Sequence, residues 1–318
     1  MNIHRQLAEL PAAHAPVVAT IGNFDGVHLG HQGVIAEVIE RARFLGGTSL
    51  AITFDPHPAR ILRPEQPHPI ITPLDRKLEL LAATGIDATL VLPFTEAFFH
   101  MTALDFATTI LVNAVHATEI HEGENFRFGY RAEAGIDGLE ALGRELGFGV
   151  TVYAPRSLRG AAVSSSRIRK LIAAGDVSYA RVLLGRPFSV DSTPAPGRGY
   201  GTRFAVPTIN LAPYSELLPA NGVYITTLTA GTGAKADTFD AVTNVGNRPT
   251  FGADSFAVES HLLNFHPIEL TEHTPLRLTF LRRLRAEQRF PDPEALRAQI
   301  DKDVAHAHRY FTLCHTLG

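Results

Sequence analysis

Two histidines three positions apart carry the clearest chemical signal in the chain. Residues 28 to 31 read His28-Leu-Gly-His31, inside the run Ala19-Thr-Ile-Gly-Asn-Phe-Asp-Gly-Val-His-Leu-Gly-His-Gln-Gly33. An apolar, strand-like stretch (Pro16 to Ile21) precedes them, and a helical pattern of Val34, Ile35, Val38, Ile39 and Ala42 follows. Gly22, Gly26 and Gly30 let backbone N–H groups come close to a ligand. A helix starting here offers unpaired N–H groups and a positive dipole end, which together make a seat for phosphate. Once the helix has begun, His28 and His31 project from one face. Two imidazoles over an anion site suit a phosphorus centre that gathers negative charge on its oxygens, which they stabilise without bonding to it. The spacing alone also fits a metal pair or two surface histidines.

Other runs fall at comparable places. Ile52-Thr-Phe-Asp-Pro-His-Pro58 ends a strand with Phe54, His57 and Pro58, a stacking wall for a planar ligand or an ordinary loop. Gly123-Glu-Asn-Phe-Arg-Phe-Gly129 ends another, and reads as a tight loop anchored by two core phenylalanines. Ser164-Ser-Ser-Arg-Ile-Arg169 opens a helix with hydroxyls, free N–H groups and guanidinium forks. Serine there is also a plain N-cap, but arginines in a first turn, where the dipole disfavours them, favour phosphate.

The second half holds Gly197-Arg-Gly-Tyr-Gly-Thr-Arg-Phe-Ala-Val-Pro-Thr-Ile-Asn210. Gly197, Gly199 and Gly201 can present backbone donors to phosphates, while Thr208 and Asn210 offer hard oxygen ligands for Mg²⁺. A hairpin loop entering an edge strand fits the same run. In the strand from Val258, alternation puts Glu259, His261 and Leu263 on one face, read here as the interior of a barrel. A carboxylate in such a place needs a reason, since burying an unpaired charge is costly.

The elements that must position these residues differ between the halves. Strand-like runs at 16–21, 49–54, 88–94, 117–122 and 149–154 alternate with helical patterns at 31–45, 74–84, 103–115 and 136–146. That rhythm predicts a Rossmann-like parallel α/β sheet with ligands at the strand C-terminal ends. A further helix is expected from Ser164 to about Leu184. Residues 189 to 201 read as a loop near a boundary. Strand-like runs at 203–211, 223–229, 240–245, 258–265 and 276–284 then predict an antiparallel barrel, closed by a helix from about Pro293 to Leu313 with apolar positions at Leu296, Ile300 and Val304.

At 318 residues the chain is expected to form two domains, divided here as 1–185 and 186–318. A net charge of −3 gives no general attraction for nucleic acid or anionic membrane. No apolar run approaches a membrane span, the N-terminus lacks a signal-peptide core, and one cysteine, Cys314, cannot form an internal disulfide. A cytoplasmic protein with no obligate protein partner is the plain expectation.

The tetrapeptide resembles the H-x-G-H signature of nucleotidyltransferases. Taken in order, G-N-F-D-G-V-H-L-G-H-Q, T-F-D-P-H-P, G-E-N-F-R-F-G, S-S-S-R-I-R and L-L-G-R-P-F are similar to the bacterial bifunctional riboflavin kinase/FAD synthetases. The likeness extends through Leu218-Pro-Ala-Asn-Gly-Val-Tyr224, Asn244-Val-Gly-Asn-Arg-Pro-Thr250 and Leu284-Arg-Ala-Glu-Gln-Arg-Phe290. The resemblance implies a nucleotidyltransferase domain followed by a six-stranded kinase barrel. It implies phosphorylation of riboflavin to FMN, then adenylylation of FMN to FAD, with ATP and Mg²⁺. His28 and His31 would stabilise the α-phosphate transition state. Asn23, Ser165, Ser166 and Arg169 would hold the triphosphate, with Gly22, Phe24, Asp25 and Gly30 on the ATP side. Phe54, His57, Pro58 and Asn125 would face FMN. In the kinase half, Gly197, Gly199, Gly201, Thr208 and Asn210 would bind ATP, Thr208 and Asn210 the metal, and Glu259 would be the general base.

The chain departs from the family pattern in places. Asn125 and Asn264 stand where Asp is common, Ala205-Val206 replaces Gly-Phe, Ile209 replaces Ala, and Asp191-Ser-Thr-Pro-Ala-Pro replaces a valine-rich strand. An alternative reading is therefore an adenylyltransferase whose C-terminal half has lost kinase activity and remains a flavin-binding or regulatory module. A nucleotidyltransferase for another acceptor would leave the barrel motifs unexplained.

Overall fold

The computed structural model describes residues 1–11, 15–195, 208–247 and 256–317. It forms two compact units, Met1–Ser165 and Ser166–Gly318.

In the first unit the chain runs through β1 (Asn2–His4), β2 (Val17–Ile21), α1 (Leu29–Phe44), β3 (Thr48–Asp55), α2 (Pro58–Leu62), α3 (Leu74–Ala82) and β4 (Ala88–Pro93). It continues through α4 (Glu96–Phe99), α5 (Ala103–Phe106), β5 (Ala117–Gly123), α6 (Ile136–Leu146), β6 (Gly149–Tyr153) and the short hairpin of β7 (Ser157–Leu158) and β8 (Ala161–Ala162). Six strands form one parallel sheet in the order β1-β4-β3-β2-β5-β6. The inner strands are runs of Val, Ile, Leu and Ala because helices cover both faces. Ile52, Leu90, Ile120 and Leu139 are fully buried, each contributing about 1.5–3 kcal/mol by leaving water. The chain winds from β2 through β3 to β4 on one side, then returns to β5 and β6 on the other. The switch point, between β2 and β5, is where this class of sheet opens a crevice at its strand ends.

Two details differ from expectation. β1 adds an edge strand, too short to show a period. The helix expected over 103–115 is α5 continued by a π-helix, Ala107–Ala114, in which Val115 N–H bonds the Ile110 carbonyl at 2.9 Å. A pattern of apolar residues does not register that change of hydrogen-bond step.

The unit boundary falls at the first residue of α7 (Ser165–Ala173), which with α8 (Val177–Leu184) takes the place of the single helix expected. The break comes at Gly175, whose φ of 84° is left-handed, and Asp176 then caps α8 by accepting from Tyr179 N–H at 2.9 Å. Next come β9 (Phe188–Ser192), β10 (Pro194–Ala195), β11 (Thr208–Leu211), β12 (Gly222–Ala230), β13 (Asp237–Asn247), β14 (Phe256–Leu262), β15 (Leu276–Ala286) and a final helix, α9 (Pro293–Leu317). The loop expected from 189 is therefore a strand at its start. Its Ser and Thr hid the buried Phe188 and Val190, which pack inward.

The seven-stranded antiparallel sheet runs β10-β11-β14-β13-β12-β15-β9. Its two outer members, β9 and β10, are consecutive pieces of one bent segment. That segment pairs with β15 through residues 188–192 and with β11 through 194–195. The bend closes the sheet on itself, so the barrel has six strands when the segment is counted once.

The final helix presents only part of the expected face, Val304 packing against the barrel. Leu296 and Ile300 are exposed, and Ala307 and Phe311 instead pack on Val223, Ile225 and Val242. Asp303 is buried on the same side, held by Arg285 at 2.9 Å and by Gln299 at 2.9 Å. A stripe that includes a paired Asp is invisible to a count of apolar residues.

Candidate active site

Between β2 and α1 the chain makes a tight loop over residues 22–28. Phe24 (φ 46°) and Val27 (φ 37°) both adopt left-handed backbone, a conformation that costs about 1–3 kcal/mol per residue outside glycine. Several bonds hold it there. The Asp25 carboxylate accepts the backbone N–H groups of Ile71 at 2.9 Å and Thr72 at 3.0 Å. Gly26 N–H donates to the Thr72 hydroxyl at 2.8 Å, and the Ser165 hydroxyl donates to the Asp25 carbonyl at 2.8 Å. Gln32 donates to the Val27 carbonyl at 2.7 Å. Asp25 is thus a buried clamp, with its side chain turned to the Ile71–Thr72 segment.

The loop delivers the histidines. His28 is the N-cap of α1, and its Nδ1 accepts the His31 backbone N–H at 3.3 Å. The two rings stack with centroids 3.6 Å apart and 16° from parallel, and Phe24 meets His31 edge-on at 5.2 Å. Gly30 permits this, because a Cβ there would sit 3.1 Å from the His28 ring. His31 Nδ1 is buried and has no hydrogen-bond partner among the described residues. Burial, His28 and Lys77 together hold the His31 pKa well below the usual imidazole range, so this ring is neutral at physiological pH.

The other expected residues lie as follows. Asn23 is exposed and Gly22 half-buried. Phe54, at the end of β3, meets Phe94 at 5.8 Å and Phe98 at 5.6 Å, an aromatic cluster that reaches into the core. His57 caps α2, its Nδ1 accepting Ala59 N–H at 3.1 Å, with Pro58 in the first turn and His68 stacked on it at 4.7 Å. Asn125 is exposed, while Phe126 and Phe128 stack at 5.3 Å and anchor their loop as expected. Ser165 begins α7. Ser166 (exposed) and Arg169 (half-buried) follow in the second unit.

Sequence reasoning missed two groups in the first unit. Lys77 is buried on α3 and bonds groups at the ends of β2 and β3. Its position in the stripe Leu74, Lys77, Leu78, Leu81 was the available signal, a charge on an apolar helix face. Glu122, on β5, is buried at the switch point. Its Oε1 accepts the Ile21 backbone N–H and, at 3.3 Å, the Thr20 hydroxyl. The backbone pairing of β2 with β5 ends at Ala19 and Ile120, so this carboxyl replaces the ladder where the strands part. Burial pushes its pKa well above the usual carboxylate range. A strand covered on both faces has no alternation from which to read such a residue.

In the second unit the register places Asn210 directly across from Glu259 and Thr208 across from His261. Glu259 is also paired with Asn244 on its other side, so Asn210, Glu259 and Asn244 form one cross-strand row. Glu259 is exposed, which corrects the expectation of a barrel-interior face. The interior at this level belongs to Val258, Ser260 and Leu262, where the hydroxyls of Thr226, Thr243 and Ser260 bond in a chain at 2.6 and 2.8 Å. Those hydroxyls satisfy one another, whereas a carboxylate among them would lie buried without a cation. His261 is half-buried, its pKa lowered by burial and by His308, as suits a packed residue. Gly197, Gly199 and Gly201 lie outside the described residues.

Among the described residues no group of three or more His, Cys, Asp or Glu is placed to hold a metal. Thr208 and Asn210 instead offer hydroxyl and amide oxygens two residues apart on one strand face, with Glu259 opposite. Such hard donors fit Mg²⁺, which usually takes few protein ligands and completes its shell with water and phosphate. No helix among the described residues is long and apolar enough to cross a membrane.

Comparison with known proteins matches residues 10–167 to the FAD synthetase family and residues 184–311 to the riboflavin kinase family. A bifunctional riboflavin kinase/FMN adenylyltransferase of Pseudomonas fluorescens is 35% identical, the alignment covering 96% of this chain and 97% of that protein. The chain belongs to this bifunctional family. Its counterpart from Escherichia coli (strain K12) is 31% identical over 93% of each chain. A crystal structure described as a macrolide-efflux protein from Streptococcus pneumoniae superposes with a TM-score of 0.85 at 24% identity, covering 96% of this chain and 98% of that one. At that identity the likeness concerns the fold alone.

Proposed function

We propose that the protein phosphorylates riboflavin to FMN and adenylylates FMN to FAD, using ATP for both steps. Membership of the bifunctional family and the presence of both family regions support the pair of activities. Within the first unit, the observation that carries the reading is the stacked His28–His31 pair at the opening of α1, with a buried, unbonded nitrogen on His31.

In adenylyl transfer an FMN phosphate oxygen attacks the α-phosphorus of ATP, the α–β anhydride breaks, and pyrophosphate leaves. His28 and His31 stabilise charge on the α-phosphate oxygens as this happens. Asn23 and the helix start at Ser165, with Ser166 and Arg169, bind triphosphate. Gly22, Phe24 and Gly30 shape the ATP side, and Asp25 holds that wall from behind. Phe54, His57, Pro58 and Asn125 receive the flavin nucleotide.

In riboflavin phosphorylation the 5′-hydroxyl attacks the γ-phosphorus, its proton passes to Glu259, and ADP leaves. Thr208 and Asn210 hold Mg²⁺, which supplies charge neutralisation at the phosphates. The exposure of Glu259 beside Asn210 supports its access to substrate. We assign residues 1–185 to the adenylyltransferase and 186–318 to the kinase, acting in the cytoplasm on small molecules without an obligate protein partner.

The deciding experiment incubates purified protein with riboflavin, Mg²⁺ and ATP and separates the flavins. Accumulation of both FMN and FAD is expected. FAD formed only from added FMN would mean the kinase half is inactive, and no flavin product would overturn both assignments.

A further inference from the structure

Lys77 lies within the buried stripe of α3, only 5% exposed. Its ammonium donates to the Thr53 hydroxyl at 3.0 Å, the Phe54 carbonyl at 3.2 Å and the Asn23 carbonyl at 3.3 Å. An ammonium has three N–H groups, so all of them are engaged. Backbone pairing between β2 and β3 runs as far as Ile21 and Ile52, and Gly22 N–H still reaches the Ile52 carbonyl at 2.9 Å. Beyond that point the strands diverge, one into the loop that carries the histidines and the other into the Asp55–Pro58 turn. The carbonyls of Asn23 and Phe54 both turn to the lysine there, and the Thr53 hydroxyl adds a 3.4 Å bond to Asn23. A buried carbonyl without such a donor would be costly.

We propose that Lys77 is a positioning residue for adenylyl transfer. It ties together the diverging ends of β2 and β3, and so fixes the spacing between the Asn23 loop and the Phe54 wall. The inference rests on the adenylyl-transfer reading above. Since its donors are all engaged within the protein, Lys77 acts through the groups it holds.

The charge matters as well as the reach. Burial lowers the Lys77 pKa to about 8, while Asp25 and Asp55 act in the opposite direction. The ammonium is therefore present at neutral pH and is lost not far above it. It also faces His31, and with burial and His28 it keeps that imidazole unprotonated.

The test compares wild type, Lys77→Met and Thr53→Val for FAD formation from FMN and ATP, across about pH 6 to 9.5, with riboflavin phosphorylation measured in parallel. A misplaced site costs on the order of 10²-fold, so Lys77→Met should lower kcat for FAD formation by about 10- to 100-fold, with a much smaller change in the KM for ATP. Wild-type kcat should fall along an alkaline limb near pH 8, and that limb should vanish in the Met variant. Thr53→Val keeps the ammonium but removes one acceptor, so the limb should move to lower pH. Riboflavin phosphorylation should stay at the wild-type rate.

Wild-type kcat and pH profile in Lys77→Met would overturn the proposal. If that variant does not fold, a wild-type profile flat to about pH 9.5 and unchanged by Thr53→Val overturns it. Wild-type protein that makes no FAD from supplied FMN would instead defeat the underlying activity, and the positioning role with it.

Discussion

The His28 and His31 rings lie face to face, 3.6 Å between centroids, while His28 Nδ1 caps the backbone N–H of His31. One residue therefore both starts the helix and fixes the position of its partner ring. Neutral His31 makes the close stacking tolerable, since two imidazolium cations at that distance would repel.

Removing the first of these rings should damage one reaction only. His28→Ala is expected to lower FAD formation by about 10²-fold or more, the scale of losing one transition-state donor. FMN formation from riboflavin should be retained, because its residues belong to the second unit. Product separation after timed incubation reads both rates, and an equal fall in the two would reject the assignment.

Gly30→Ala offers a gentler probe of the same stack. Alanine favours a helix by up to about 1 kcal/mol over glycine, so the fold should hold. Its new methyl, however, would sit 3.1 Å from the His28 ring and push it aside. Adenylylation should drop while the melting temperature is kept. Unchanged adenylylation would mean the stacked geometry is dispensable.

Glu122 predicts a stability effect with a definite sign. A carboxyl whose pKa is raised by folding stabilises fully below its unfolded value, near 4.5, and that contribution is lost as pH rises. Glu122→Gln keeps the acceptor for Ile21 and Thr20 but cannot ionise. Its melting temperature should therefore gain on wild type progressively as pH rises above about 5. A difference that stays constant with pH in circular-dichroism melts would show that Glu122 does not titrate in this way.

The kinase row separates two roles. Glu259→Gln should reduce riboflavin phosphorylation by about 10²–10⁴-fold, the usual range for a general base. Thr208→Ala should chiefly raise the KM for Mg·ATP, because a hard-cation site loses an oxygen ligand. Adenylylation of supplied FMN should survive both changes. Wild-type phosphorylation by the Gln variant would remove Glu259 from the chemistry.

Much of this was legible in the chain itself. The alternation of apolar strands with helical patterns determined the parallel sheet, because covered strands and amphipathic helices leave local periodic marks. The motif around His28 and His31 determined where the histidine loop and the start of α1 fall, since a strand, glycines and a helix start are consecutive in sequence. Tertiary structure decided what depends on partners distant in the chain. Lys77 and Glu122 become meaningful only when strand ends some 20 to 100 residues away supply their hydrogen bonds. Asp25 looked like a ligand-facing residue until the Ile71–Thr72 segment took its carboxylate. Alternation grouped Glu259 with His261, but only the pairing of β14 with its neighbours decided that this face lies outside the hydroxyl-lined interior. Period two specifies which residues share a face. Which face is inward depends on how the whole sheet curls.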